Sequence, residues 1–272
     1  MTVSGIKDFI INGVYKELKL LEEKTRILKL LIRDDQAVLE RKRMVWTRLG
    51  VVGQFQSHKL FEYDHEVLND YLNSLGILPK MASIDSNLLT NEQLLDLEGY
   101  STPGIGYVRY TPNFWGKIDC RVSSDKYNYY LTLPLRNKVK VWRDLFIKKE
   151  ALCKIWEKER LQAVTAEEFQ QAKKISLYSG SLSLQTTPIK YQAAHVLRLF
   201  GSKTLIQCAR IEVEKFDEYA ARGYLKLSDL SLCRKIIDVQ ERYYLMTLQA
   251  EEEKRKHWDL RLSRLSELSQ LS

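Results

Sequence analysis

A long segment without a helix-breaking residue lies near the N-terminus, where neither proline nor glycine occurs between Val14 and Leu49. Apolar or tolerated residues recur there at alternating spacings of four and three, the heptad pattern of a coiled coil. Asp35 and Lys42 interrupt the seam, whose other positions are Val14, Leu18, Leu21, Thr25, Leu28, Ile32, Leu39 and Trp46. We therefore predict one helix over residues 6–49. Its part from Val14 to Leu49, which lacks proline and glycine, would reach about 50 Å at roughly 1.5 Å per residue.

The C-terminal part of the chain shows a weaker repeat of the same kind. Ser228 is a suitable N-cap, so we predict a helix from Asp229 to about Gln270. Its apolar positions are Tyr244, Leu248, Trp258, Leu262 and Leu265, with Glu251 and Arg255 as interruptions. The simplest packing joins residues 1–50 and 228–272 as an antiparallel coiled coil, with residues 51–227 as a mixed helical head. Alternatively, each seam contacts a second protomer.

Residues 105–135 differ in character from the rest, because their short runs are aromatic, β-branched and partly alternating. We predict strands over residues 107–110, 117–122 and 127–133, with a hairpin turn at 123–126. The predicted fold class is mainly α, with long N- and C-terminal helices and a small antiparallel β element near residues 105–135.

Helix start and stop signals divide the remainder of the head. Asp64 is predicted to cap a helix to Leu75, and Thr90 with Gln93 forms a capping box. A helix is expected over 137–162, and residues 179–187 are expected to form a loop or an edge strand. Three more predicted helices run from Thr165 to about Leu177, from Thr187 to Gly201, and from Ser202 to about Arg222.

The charge of the chain is unevenly distributed. Its 272 residues hold 43 Lys and Arg and 35 Asp and Glu, a net charge of +8. Residues 51–104 carry −6, which leaves +14 elsewhere, and residues 134–160 hold nine bases against four acids. An apolar content of 44% excludes a disordered chain, and 12 glycines exclude a collagen-like one. Such asymmetry suggests one face that binds a polyanion.

Local motifs for catalysis are absent from the sequence. It has no phosphate-binding loop, no GxSxG and no HExxH. Asp64, His65, Glu66 and Asp70 could ligate a metal in principle, but His65 and Asp70 do not share a helix face well and Asp64 serves as a cap. Asp119 lacks the second strand acid that a carboxylate nuclease would need. We therefore predict no catalytic residues, metal or cofactor, although catalytic residues dispersed in the sequence would leave no such signature.

The most suggestive functional signal is the alternation of aromatic and basic residues over 107–160. Cations neutralise phosphates and flat rings stack on bases, so this pattern favours nucleic-acid binding. The same pattern is also consistent with a purely structural role, in which the aromatic residues form the core of a half-buried sheet and the basic residues form the solvent-exposed face of a helix. The candidate binding residues are Arg109, Lys117, Arg121, Lys126, Tyr127, Tyr129, Arg136, Lys138, Lys140 and Arg143.

Two functions of different classes follow from these patterns. The first is a non-enzymatic nucleic-acid-binding or nucleoprotein-associated protein, with DNA and RNA equally compatible. The second is a coiled-coil adaptor or assembly protein that binds another protein or forms a homo-oligomer. The lack of a signal peptide or a long apolar segment predicts a protein without membrane association. Cys120, Cys153, Cys208 and Cys233 are expected to be small buried residues of a reduced cytoplasmic protein.

Overall fold

The computed structural model describes residues 3–119 and 121–270, apart from the side chains of Gln170 and Glu214. Helices make up 58% and strands 23% of the structure. The α-helices are α1 Ser4–Ile11, α2 Val14–Val38, α3 His65–Ser74, α4 Leu78–Met81, α5 Asn91–Asp96, α6 Ser124–Thr132, α7 Leu135–Ala163, α8 Glu167–Gln171, α9 Ala193–Cys208, α10 Phe216–Ala221 and α11 Leu248–Gln270. Short 3₁₀ turns occupy Thr47–Leu49, Ser86–Leu88, Glu98–Tyr100, Val213–Lys215 and Asp229–Leu232.

The strands form four small antiparallel sheets in the described part of the chain. They are β1 Arg43–Trp46, β2 Val51–Tyr63, β3 Ala82–Ile84, β4 Ser101–Thr102, β5 Gly106–Pro112, β6 Lys174–Leu177, β7 Gly180–Thr186, β8 Lys190–Tyr191, β9 Ala209–Ile211 and β10 Arg234–Thr247. The sheet orders are β1-β2-β10, β3-β9, β4-β8 and β5-β7-β6. The prediction of a mainly α fold with one β element is therefore wrong, and the fold is mixed α/β.

The N-terminal helix is shorter than predicted. Gly13 breaks it at a φ of +76°, α2 ends at Val38, and the chain then enters β1. Most seam residues of α2 are buried (Leu18, Leu21, Thr25, Leu28 and Ile32), whereas Val14 is half-buried, and α2 packs on α7. Leu28 and Ile32, for example, share a core with Val139 and Trp142. The heptad pattern thus builds the core of the chain itself, and the predicted pairing of α2 with a C-terminal helix is wrong.

The C-terminal helix also differs from its prediction. Residues 234–247 form β10, which carries β-branched and aromatic residues such as Ile236, Ile237 and Tyr243. Helix α11 begins only at Leu248, where the Thr247 hydroxyl accepts a hydrogen bond from the backbone N–H of Ala250. No residue of α11 within the described range is buried.

Only the first of the three strands predicted near residues 105–135 is found in the described structure. Strand β5 pairs with β7, which lies about 70 residues later and is the central strand of its sheet. The Ser-rich residues 179–187 are thus a central strand for most of their length, in place of the expected loop or edge strand. Residues 117–119 and 121–123 have no regular structure, and residues 127–132 belong to α6 because Tyr130 turns into a helical core.

Local helix signals are mostly confirmed. The Asp64 carboxylate accepts from the backbone N–H of Val67, and the Thr90–Gln93 capping box is complete. Helix α7 covers the predicted range 137–162. The helices predicted from Thr165, Thr187 and Ser202 are wrong in extent. α8 gives way to β6, α9 begins at Ala193 and runs through Gly201, and β9 follows it.

The chain divides into two compact units. Unit 1 comprises residues 1–56, 105–187 and 242–251, and unit 2 comprises residues 57–104, 188–241 and 252–272. Unit 1 has two cores, one between α1, α7 and the β5-β7-β6 sheet and one between α2, α6 and α7. The core of unit 2 gathers α3, α4 and α9.

Two of the four cysteines behave as predicted. Cys208 and Cys233 are buried in the core of unit 2, and burial raises the pKa of both thiols. Cys153 is half-buried, and Cys120 lies outside the described residues. No helix in the described ranges is both long enough and apolar enough to cross a bilayer.

Candidate nucleic-acid interface

All ten candidate residues lie in unit 1, where they fall into several groups. Arg136, Lys140 and Arg143 follow one another at helical spacings of four and three, so they share one side of α7. We call these three residues the stripe. Arg136 and Lys140 are exposed and Arg143 is half-buried. Within the described residues no carboxylate forms an ion pair with any of them.

Lys138 belongs to the same turn of α7 but points the other way. Its side chain is 5% exposed, and its Nζ lies 2.8 Å from Oδ2 of Asp35 on α2. The seam position that seemed to weaken the N-terminal heptad is therefore an ion pair with α7. A phosphate could reach the Lys138 ammonium only by breaking this pair, so Lys138 is placed to stabilise the fold.

The stripe begins beside a cleft that sequence reasoning missed. Arg136 lines it together with Trp46 and Arg48, and its volume is about 330 Å³. Arg48 is exposed, and no carboxylate pairs with it in the part of the chain that the structure describes. Arg48 adds a fourth cation next to the stripe, and the half-buried indole of Trp46 offers an apolar wall. No local pattern indicates this cleft, because the heptad spacing predicts a helix through residues 46–48.

Lys126, Tyr127 and Tyr129 lie on α6 and not on the predicted hairpin. All three are exposed, whereas Tyr130 between them and the core is buried. Lys126 also affects Lys24 on α2. Burial lowers the pKa of Lys24, and the positive charge of Lys126 lowers it further. The two lysines are thus close enough to repel each other, which makes this surface attractive to an anion.

Arg109 lies on the outer face of the β5-β7-β6 sheet. Arg109 is opposite Ser183, and Ser183 is opposite Lys174, so the two cations share a row across three strands. Alternation places only Tyr107, Arg109, Thr111, Lys174, Ser176, Ser181, Ser183 and Gln185 on this face. It therefore carries no carboxylate, while the opposite face is buried through Val108 and Leu182. We call it the outer sheet face.

Lys117 lies in a loop at one end of this sheet, which we call the tip (residues 113–119 with Tyr178 and Ser179). The Asn113 Oδ1 accepts from the backbone N–H of Trp115 and of Gly116, both at 3.0 Å. Its Nδ2 donates to the Tyr178 carbonyl at 2.8 Å. This one amide therefore joins the two sides of the tip.

Three aromatic rings of the tip point into solvent. Phe114 is 81%, Trp115 67% and Tyr178 81% exposed. The rings of Trp115 and Tyr178 lie 6.0 Å apart between centroids, with 23° between their planes. Sequence reasoning noted Trp115 among the interleaved aromatics but overlooked Phe114 and Tyr178.

Arg121 follows the tip and is paired with Asp119 at 3.0 Å. Its hydrogen bonds to Asp119 hold the pKa of that carboxyl below its usual range. Both side chains are largely exposed, so the pair is screened by water and is easily exchanged for another anion.

The candidate residues do not form one surface. The Arg160 Nε donates to the Val108 carbonyl at 3.0 Å, which fixes the sheet to the C-terminal part of α7. Arg136 lies 24 residues earlier in the same helix, about 36 Å away at 1.5 Å per residue. The stripe and the outer sheet face are therefore two separate cationic clusters of unit 1.

The charge of the chain separates between the units. Unit 1 contains 27 Lys and Arg against 16 Asp and Glu, a net charge of +11. Unit 2 contains 16 against 19, a net charge of −3. The positive charge of the protein thus resides in the unit that carries all the candidate residues.

The described residues do not assemble a metal-binding group. No group of three or more His, Cys, Asp or Glu side chains is suitably placed there to hold a metal ion. The Asp64 carboxylate is engaged as a helix cap. Comparisons with protein-family models, curated proteins and solved structures find no significant match to this chain.

Proposed function

We propose that the protein is a non-enzymatic nucleic-acid-binding protein and that unit 1 contains its binding surface. The stripe carries this proposal, because Arg136, Lys140 and Arg143 have no carboxylate partners among the described residues and share one side of a helix. Cations at one-turn intervals can contact successive phosphates, and binding would release counterions. The net charge of +11 on unit 1 supports the same conclusion.

The test is fluorescence anisotropy of the full chain with labelled duplex and single-stranded oligonucleotides of about 20 nucleotides, at salt concentrations from about 50 to about 200 mM. We expect binding that weakens steeply with salt. Changing Arg136, Lys140 and Arg143 together to Ala should reduce the log–log salt slope for duplex by about three.

The same helix offers a matched control. Lys148, Lys154 and Lys158 are also exposed, but Glu150 and Glu157 lie among them. Changing these three lysines to Ala removes the same charge from α7 and should alter the slope much less. Absence of binding at low salt would refute the proposal, and so would equal effects of the two triple variants.

A second candidate is a role in binding another protein through α11. Trp258 and Leu262 are one helical turn apart on this helix, and each is 57% exposed. Trp is enriched at protein–protein interfaces relative to the rest of the protein surface. Light scattering of the full chain tests self-association, and replacing both residues with Ala should abolish it.

We propose a cytoplasmic location. Cys153, Cys208 and Cys233 are free thiols, as expected for a protein in a reducing compartment.

A further inference from the structure

Contacts within the tip hold its aromatic rings in an outward orientation. The Tyr110 hydroxyl donates to the Ser179 carbonyl at 2.8 Å, and Asn113 joins both sides of the tip. Gly116 packs so closely on Ser179 that a Cβ there would collide with its carbonyl oxygen. Hydrogen bonds and close packing thus fix a loop whose most apolar side chains, Phe114, Trp115 and Tyr178, remain in water. Exposed rings contribute little to folding, so their placement needs another explanation.

The ring geometry suits a flat ligand. The planes of Trp115 and Tyr178 are within 23° of parallel, and Phe114 meets Trp115 edge-on at 85°. Nucleobases stack on such exposed aromatic faces without regard to sequence.

A small cleft adjoins Trp115. Its volume is about 250 Å³, somewhat smaller than the roughly 300–1,000 Å³ of sites for drug-sized ligands. Tyr15, Tyr110 and Trp115 supply aromatic walls, and Lys16 and Lys117 supply ammonium groups. Asp119, the carboxylate that also lines the cleft, is paired with Arg121. Aromatic walls beside two lysines match a base next to its phosphates.

We propose that the tip is a stacking site for unpaired bases, so that unit 1 prefers single-stranded nucleic acid. The inference rests on the proposed nucleic-acid binding and names its substrate class. Trp115 and Tyr178 stack on bases, and Lys16 and Lys117 contact phosphates. A duplex keeps its base faces covered by neighbouring pairs, so it cannot use the rings.

The chemistry favours a nucleic acid over a lipid surface. A membrane-inserting loop would present a longer apolar end, whereas Asn113 directly precedes Phe114 and Trp115, and Lys117 and Asp119 follow them closely. Lys16 and Lys117 line the aromatic cleft itself, where they can contact the phosphates of a stacked nucleotide.

The experiment compares the full chain with two double variants. One changes Trp115 and Tyr178 to Ala, and the other changes both to Phe, which retains flat rings. Tyr224→Ala is the control, because Tyr224 is also an exposed aromatic residue, at 51%, and belongs to unit 2. Probes are labelled dT and rU strands of about 20 nucleotides and a duplex of about the same length. Circular dichroism melts check that each variant is folded.

The double Ala variant should bind both single strands about tenfold more weakly and duplex within about twofold of the parent. The double Phe variant should recover most of the loss, and Tyr224→Ala should change nothing. Unchanged single-strand affinity in the double Ala variant would overturn the stacking site while leaving nucleic-acid binding intact. An equal loss on duplex would also overturn it.

Two further outcomes can be distinguished from a failure of the stacking site alone. If the parent binds no oligonucleotide at low salt, the proposed function itself fails. If vesicles of phosphatidylcholine and phosphatidylserine sediment the parent but not the double Ala variant, and single-strand affinity is unchanged, the tip is a lipid contact and the inference is wrong.

Discussion

The ammonium of Lys138 lies 2.8 Å from the Asp35 carboxylate, and this ion pair joins α7 to α2 inside unit 1. The lysine side chain is 5% exposed and the carboxylate 34% exposed. Two residues away on either side, Arg136 and Lys140 face solvent without such a partner in the described structure. One turn of helix therefore carries a structural cation on one side and free cations on the other.

Lys138→Ala should lower the free energy of unfolding by about 2 kcal/mol, because it leaves the Asp35 carboxylate beside a buried apolar surface without its counterion. The loss is below the 3–5 kcal/mol of a fully buried pair, since Asp35 is partly solvated. Lys140→Ala, on the exposed side, should stay within about 0.5 kcal/mol. Urea unfolding of both variants measures the difference. Equal free energies of unfolding for the two variants would show that the Lys138–Asp35 ion pair contributes nothing to stability.

The fold was predictable where its signals are local. Helix α7 and the caps at Asp64 and Thr90 depend on residues within one or two turns, and they form as expected. Strands β2 and β10 were not recognised, because their partners lie far apart in sequence and their residues alternate imperfectly. The apolar seam of α2 was found, but a periodic seam does not specify its partner, which is α7.

The candidate site was predictable to a similar extent. A run of bases on a confirmed helix located Arg136, Lys140 and Arg143, yet only the three-dimensional structure separates these from the buried Lys138. Tyr178 could not be predicted as part of the site, because only the pairing of β5 with β7 brings it next to Trp115. Non-local strand pairing thus assembles the tip, and no local pattern encodes it.

Tyr243 should make the stability of the protein sensitive to alkaline pH. Its hydroxyl donates to Gln36 Oε1 at 3.0 Å, and Gln36 Nε2 donates in turn to the Gly53 carbonyl at 3.2 Å. Burial raises the pKa of Tyr243 well above its ordinary value near 10. The unfolded chain therefore loses this proton first, so stability is complete below about pH 10 and falls as pH rises further, by at most about 1.4 kcal/mol per pH unit.

Tyr243→Phe removes this ionisation and should flatten the fall in stability above about pH 10. At neutral pH the variant should be less stable by about 1 kcal/mol, because Gln36 Oε1 loses its donor. Urea unfolding of parent and variant at neutral pH and above pH 10 checks both parts. If the free energies of unfolding of parent and variant fell in parallel over this range, Tyr243 would not be the cause of the alkaline loss of stability.

Gly201 should be intolerant of a side chain although it has space for one. It interrupts α9 with φ +80° and ψ 176°, a combination that essentially only glycine adopts. No atom lies within 4 Å of a Cβ built there, so any cost of Gly201→Ala comes from the backbone. We expect a loss of about 1–3 kcal/mol in the free energy of unfolding.

Gly99→Ala is the control for this position, because Gly99 also has open space around its Cβ but has no positive φ. Its unfolding free energy should remain within about 0.5 kcal/mol of the parent. A Gly201 variant as stable as the Gly99 variant would mean that the kink in α9 is not required.

Gly116→Ala should disturb the tip without unfolding unit 1. The new Cβ would collide with the Ser179 carbonyl and lie 2.7 Å from the Tyr110 hydroxyl, so the loop must move and separate Trp115 from Tyr178. Because the tip lies at the end of the sheet, outside both cores of unit 1, the thermal midpoint should fall only modestly.

Single-strand affinity of the Gly116→Ala variant should fall about tenfold, as in the double Ala variant of Trp115 and Tyr178, while duplex affinity is kept. Anisotropy titrations with both probes measure this, and near-ultraviolet circular dichroism reports the loss of ring stacking. If the variant loses the circular dichroism signal of ring stacking but binds single strands like the parent, binding does not depend on the arrangement of the rings. That result would count against the stacking site.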